Sequence, residues 1–220
     1  LNTAYYTVGT IPIKMALGLV LALLLNRLRG SAVFRFLFYS PVVTAMVAVS
    51  VVWLWVYHPS GGLLNMFLEW VGLPPQLWLR DPALAMPSLM ALGVWKWTGS
   101  EMVIYLAGLQ GIPDTYYEAS SIDGASSWHQ FWKITLPLLR PAILYSLVVL
   151  AITTFQVFEQ MYVMTLGGPG YATTTLVYEI YREAFERFRM GYASALAFVL
   201  FVIILVLTLI NFKVVGIDID

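Results

Sequence analysis

An all-α fold, a polytopic bundle of membrane-spanning helices, follows from three features of the sequence. Of the 220 residues, 60% are hydrophobic and 11% charged, with a mean hydropathy of +0.79, where a soluble domain carries about 25% charged residues. Five apolar runs each approach the ~20 residues that a helix needs to cross the hydrocarbon core. The runs are continuous instead of alternating, which argues against a membrane barrel.

The five expected crossings are 8–25, 37–57, 84–108, 141–163 and 192–213. The last is the cleanest, with ALAFVLFVIILVLTLI broken only by Thr208; the third is the least clean, because WKWTGSE lies inside it. Lys14 stands in the first run, near enough to the outer end for its amine to extend to the headgroups. The chain starts at Leu1 without an initiator methionine or a signal-peptide layout, and reads as a piece of a longer sequence.

Basic residues in the loops set the orientation. Arg27, Arg29 and Arg35 crowd the loop 26–36 with no acid, which predicts a cytoplasmic position for it, for 109–140 and for the C-terminus. The loop 164–191 then faces outward although it holds Arg182, Arg187 and Arg189, whose charge Glu179, Glu183 and Glu186 can pair locally. Within it, Val177, Ile180, Tyr181, Ala184, Phe185 and Phe188 repeat at helical spacing. That amphipathic stretch, 176–188, reads either as a helix lying at the membrane surface or as a ledge for an outer partner.

The polar loop 109–140 is long for a connection. It reads as two short helices: one starting near Pro113, with Asp114 and Glu118 at its positive end, and one over 125–133 with Ala125, Trp128 and Trp132 on one face. Gly124 permits the turn between them, and Pro137 and Pro141 punctuate the return to the membrane. Tyr116, Tyr117, Trp128, Phe131 and Trp132 form an apolar set that either marks an interaction surface or packs on the helix ends and headgroups.

The stretch EASSIDGASSWHQFWKITLPLLRP resembles the signature of ABC importer permeases, in which EAA is followed by a spaced Gly and then I-x-L-P. The matching residues are Glu118, Ala119, Gly124, Ile134, Leu136 and Pro137, with Ser120 replacing the third motif residue and Asp123 and Ala125 flanking the glycine. The fuller pattern is similar to the subfamily importing sugars and glycerol phosphate, the maltose type. LGLVLALLLNRLRG, LAGLQGIP and GGPGYATTTLVYEIYREAF extend the likeness over nearly the whole chain. The resemblance implies six crossings in the full chain and a bacterial or archaeal cytoplasmic (inner) membrane. It further implies that the loop is a coupling element seated in a cytoplasmic ABC ATPase dimer, with a second permease subunit and an external solute-binding protein as partners.

Transporter sites lie near the bilayer midplane on helices carrying polar groups. Thr153 and Thr154 stand about 18 Å into their segment at 1.5 Å per residue, with Gln156 beyond them. Lys96 and Trp97 reach a similar depth on theirs. Hydroxyls, amides and a flat ring suit a polyhydroxylated solute. The plain alternative is that Lys96 pairs with Glu101 or Glu159 and that the threonines bond their own helix.

Other classes find less footing. The balanced charges, twelve of each sign, give no hint of nucleic acid, and the absence of cysteine excludes disulfides and thiolate metal sites. His58 and His129 lack metal-ligand spacing, no catalytic triad or P-loop is present, and nothing asks for a cofactor. An ion-coupled transporter or channel using Lys96, Glu101 and Glu159 is the main rival.

Overall fold

The computed structural model of the protein describes residues 1–28 and 32–215, and among them all regular structure is helical. Arg29, one of the basic residues used to orient the chain, and the last five residues lie outside the described residues.

The centre of the bundle is the seam between α1 (Asn2–Arg27) and α5 (Pro82–Gln110). With 29 residues, α5 is about 43 Å long at 1.5 Å per residue. It begins where the Asp81 side chain accepts the Ala83 N–H at 2.8 Å, with Pro82 in the first turn; cap and proline together supply what an exposed helix start lacks. Gly18 lets the helices close: a Cβ there would overlap the Glu101 side chain and lie 3.2 Å from the α5 backbone.

The expected crossing 37–57 is not one helix. It divides into α2 (Ala32–Val43) and α3 (Met46–Val56), bent by 97° at a short break. Pro41 cannot donate to the preceding turn, and the Ser40 hydroxyl donates to the freed Leu37 carbonyl at 2.9 Å. Apolar composition is unbroken across Thr44 and Ala45, so the bend leaves no trace in hydropathy.

The connection 57–81, which includes α4 (Leu63–Trp70), is pinned by Asn65, 1% exposed. Its amide donates to Pro59 O and Gln76 O and accepts from Gln76 N and Trp78 Nε1, at 2.9–3.0 Å. The chain continues past α5 through α6 (Asp114–Ile122), α7 (Ser127–Gln130), a π-helical turn at Phe131–Thr135 and α8 (Leu136–Leu138). It then re-enters the bundle as α9 (Arg140–Phe155) and α10 (Glu159–Met164), passes through α11 (Leu176–Tyr181) and ends in α12 (Met190–Val215).

Three helical stretches are long and apolar enough to cross a membrane, 2–26, 140–164 and 190–211, and the bent α2–α3 pair makes four if counted as one. The expected five crossings therefore stand only in part. The segment 84–108 is helical as expected, but Lys96, Glu101 and their polar neighbours keep α5 below the apolarity of a lipid-exposed span.

The bundle has two distinct ends. At one, the Asn2 amide donates to Tyr171 O and Thr174 O, and His58 and Arg80 face Thr165 and Pro169. At the other, Leu23 and Asn26 of α1 meet Tyr117, Gln130 and Thr135. A core of Tyr6, Met86, Leu89, Leu92 and Met161 fills the first half; Met102, Tyr105, Leu106, Leu109 and Leu139 fill the second.

The stretch 176–188 departs from its expected pattern. α11 runs into a π-helical turn at Arg182–Glu186, and the residues buried there are Tyr178, Glu183 and Ala184, while Phe185 and Phe188 are exposed. One residue inserted in the turn rotates the following side chains off the straight-helix face. The local charge pairing holds: Arg182 meets Glu179 and Glu186, Arg187 meets Glu179 and Glu183, and Arg189 meets Glu183.

Candidate functional site: a polar cleft and an end knuckle

The cleft forms where the helical path through α9 and α10 breaks. The residues between them, Gln156 to Phe158, leave the helix, and their backbone opens a cavity of about 270 Å3. Unwound backbone inside a membrane is tolerated where it lines a cavity. α1 contributes Tyr6 and Lys14, α5 contributes Trp97, and the broken strand of helix contributes Thr153, Thr154 and Gln156. Beyond the break, Glu159 and Gln160 complete the polar side. Gln160 Nε2 donates to the Tyr6 hydroxyl at 2.7 Å, tying α10 to α1.

Four of the five predicted solute contacts thus come together: Trp97, Thr153, Thr154 and Gln156. Both threonine hydroxyls donate to their own helix, Thr153 to Val149 O at 2.9 Å and Thr154 to Leu150 O at 2.6 Å. They face the cleft as acceptors.

Lys96 is the exception. Its ammonium turns to the end of α2, donating to Pro41 O at 2.8 Å, Thr44 O at 2.7 Å and Val42 O at 3.4 Å, and lies 4.9 Å from the Trp97 ring centroid. Among the described residues no carboxylate comes within 4.0 Å of it, so neither expected ion pair forms. A cation on the last carbonyls of a helix is favourable for both hydrogen bonding and the helix dipole. Lys96 braces the 97° bend and carries Trp97 with it.

Two groups named from the sequence have other surroundings than expected. Lys14 does not extend to the headgroups: it is 2% exposed and lines the cleft. Glu101, also 2% exposed, accepts the Ser146 hydroxyl, which lies 2.8 Å from the Tyr105 hydroxyl. Intramembrane charge pointing inward is the available signal; which neighbour it meets depends on helix rotation.

Two larger cavities suit a polar solute less well. One of about 400 Å3 lies beside His58 and Arg80, at the end of the bundle away from the knuckle. The other, about 680 Å3, is an apolar furrow along Ile13, Leu17, Val20 and Trp95.

At the far end of the bundle the loop 109–140 is a stiff knuckle. Pro113 caps α6 from just outside instead of occupying its first turn, and Gly124 takes φ +76° where the chain reverses. The second helix begins at Ser127, one α turn long, so Ala125 precedes it and does not share a face with Trp128 and Trp132. Gln130 clamps the bend by donating to Ser120 Oγ and Ser121 Oγ, both at 2.9 Å, and the Tyr117 and Thr135 hydroxyls meet at 2.9 Å. Glu118, Ala119, Asp123 and Gly124 are exposed, as is Pro137; Ser120, Ala125, Ile134 and Leu136 are half-buried. Trp128, Phe131 and Trp132 pack on one another at 5.3–6.1 Å between ring centroids, while Ile122 is 88% and Trp128 70% exposed.

A bundle of long apolar helices, one of them broken beside a polar cleft and another leading into a clamped knuckle, is a multi-pass membrane architecture. The family described as "Binding-protein-dependent transport system inner membrane component" matches residues 14–214, and the chain belongs to it. The chain is 40% identical over 216 residues to the "Probable ABC transporter permease protein YesP" of Bacillus subtilis, covering 96% of this chain and 69% of that one. It is 37% identical over 216 residues to the "Trehalose/maltose transport system permease protein MalF" of Thermococcus litoralis, covering 96% and 72%. A crystal structure of a bacterial alginate ABC transporter, in complex with its alginate pentasaccharide-bound periplasmic protein, superposes with a TM-score of 0.87 at 26% identity, covering 96% of this chain and 74% of that one. The protein is accordingly a multi-pass inner-membrane permease subunit of an ABC transporter, a transport component and not an enzyme. The ion-coupled alternative gives way to this assignment.

Proposed function

We propose that this permease imports a sugar or related polyhydroxylated solute through the cleft at α1, α5 and the α9–α10 break. In this reading α5 is a fifth crossing. Its polar residues are tolerated because 15 of its residues are buried against protein, and a span shielded from lipid need not be apolar all round. The end bearing the knuckle is cytoplasmic, and an ATPase dimer grips Glu118, Ala119, Ser120 and the turn at Gly124. An external solute-binding protein docks at the other end. A second permease subunit completes the cleft, whose volume falls just short of the ~300 Å3 at which small-molecule pockets begin.

The saccharide transporters among the relatives support the solute class. The lining supports it chemically: Trp97 offers a stacking face, and Thr153, Thr154 and Gln156 offer acceptors and donors for hydroxyls. The observation that carries the proposal is the knuckle, an internally clamped bend that leaves Ile122 and Trp128 uncovered at the bundle end. Exposed apolar patches of this kind mark interaction sites, and a rigid lever converts closure of a gripping partner into movement of the helices.

The test is co-purification of the cognate ATPase and ATP-driven sugar uptake in proteoliposomes. Glu118→Lys reverses an exposed charge without touching the fold, and is expected to leave the permease inserted while uptake falls at least tenfold. Uptake at the unmodified rate by that variant would refute the coupling role.

A further inference from the structure

We infer that Lys14 is an anion-recognition point in the cleft, so that the solute is a saccharide bearing a negatively charged substituent. The inference rests on reading the cleft as the solute passage.

The chain buries two lysines inside its bundle, and their surroundings differ. Lys96 is satisfied by backbone carbonyls. Lys14, 2% exposed, makes no hydrogen bond among the described residues and has no carboxylate within 4.0 Å among them. Its nearest recorded partner is the Tyr6 ring, 5.8 Å from the ammonium to the centroid. The charge of Glu101 acts on it, but that carboxylate is engaged by Ser146. Glu159, the carboxylate that lines the cleft, is exposed and acts on Lys96 instead.

Most of the Lys14 side chain is out of water, and burying a charge without a hydrogen-bonded partner is costly, so its ammonium needs a partner on the side where it stays accessible. The open side of Lys14 is the cleft, so the missing partner comes from there. A sugar hydroxyl satisfies one donor; a carboxylate or sulfate forms a charge-assisted bond roughly twice as strong. Glu159 and Gln156, which line the same cavity, remain available to the hydroxyls.

The experiment uses the complete transporter, permease pair and ATPase together, in lipid nanodiscs. Equilibrium binding is measured for digalacturonate, a 6-sulfated galactose disaccharide and neutral galactobiose. The expected result is that at least one charged probe binds about tenfold or more tightly than galactobiose, a difference of about 1.4 kcal/mol. Lys14→Gln should abolish that preference and Lys14→Arg should keep it; which charged probe is favoured separates carboxylate from sulfate recognition. If Lys14 serves only to balance Glu101, the Lys14→Gln/Glu101→Gln double variant will regain the preference, and the inference is overturned. Equal binding of charged and neutral probes by the unmodified complex overturns it as well. An assembled, ATP-hydrolysing complex that binds galactobiose best removes the anion site alone. Failure of any ATPase to co-assemble removes the proposed function beneath it.

Discussion

Gly124 offers the most direct handle on the knuckle. Its φ of +76° lies in the left-handed region, and a Cβ built there meets nothing within 4 Å. Substitution therefore costs backbone strain alone, with no steric clash to confuse the reading. For an ordinary L-residue that strain is about 1–2 kcal/mol, which shifts the bent-to-opened ratio of the knuckle by about 5- to 30-fold. Asparagine tolerates this conformation and valine is a genuine outlier in it. The order of damage should be Gly124→Asn, then Gly124→Ala, then Gly124→Val. The assay is the number of solute molecules transported per ATP hydrolysed in proteoliposomes, with thermal unfolding of the solubilised protein as control. Coupling should fall along the series while the transmembrane core melts nearly unchanged. Unimpaired coupling in Gly124→Val, or Gly124→Asn as damaging as Gly124→Val, would refute the argument that the bend transmits force.

Other consequences concern the α2–α3 bend and the connection that follows it. Lys96→Met leaves the carbonyls of Pro41, Val42 and Thr44 without their donor; with charged hydrogen bonds worth about 1.5–3 kcal/mol each, the solubilised protein should melt several degrees lower, and an unchanged melting temperature would contradict the cap. Gly99→Ala drives a Cβ into the Phe38 carbonyl, a backbone clash that should cost about 1–3 kcal/mol as overpacking does, read as reduced yield of folded protein. Asn65→Ala strips the connection 57–81 of its hub and should speed proteolysis within it while leaving the membrane core resistant.

How far the sequence carried the reading varies by element. Runs 8–25, 141–163 and 192–213 declared themselves because unbroken apolarity is nearly a one-dimensional property; helices cover the first and last, and the middle one except for the break at Gln156 to Phe158. The knuckle was legible for a different reason: its glycine, prolines and motif residues are local punctuation. Its clamp was not, since Gln130 reaches serines nine and ten residues away and a side-chain pairing of that kind has no fixed spacing. Of the cleft, Trp97, Thr153, Thr154 and Gln156 were found by depth alone. Lys96 was misassigned because its partners lie 52–55 residues away, and Lys14 because snorkelling and burial are equally open to a lysine on an isolated helix.

By itself, then, the order of residues determined that this chain lives in a bilayer as a helical bundle with a bent polar knuckle between two of its helices. Those properties follow from how greasy each stretch is and where the backbone is allowed to turn. Only the tertiary structure decided which charges face the cleft and which brace a helix end, and that one apparent crossing bends by 97°. Such outcomes depend on the rotation of α1 and α2 against α5. That rotation is set by close contacts at Gly18 and Gly99 between segments far apart in the chain, and an ammonium takes whichever oxygen the packing brings within reach.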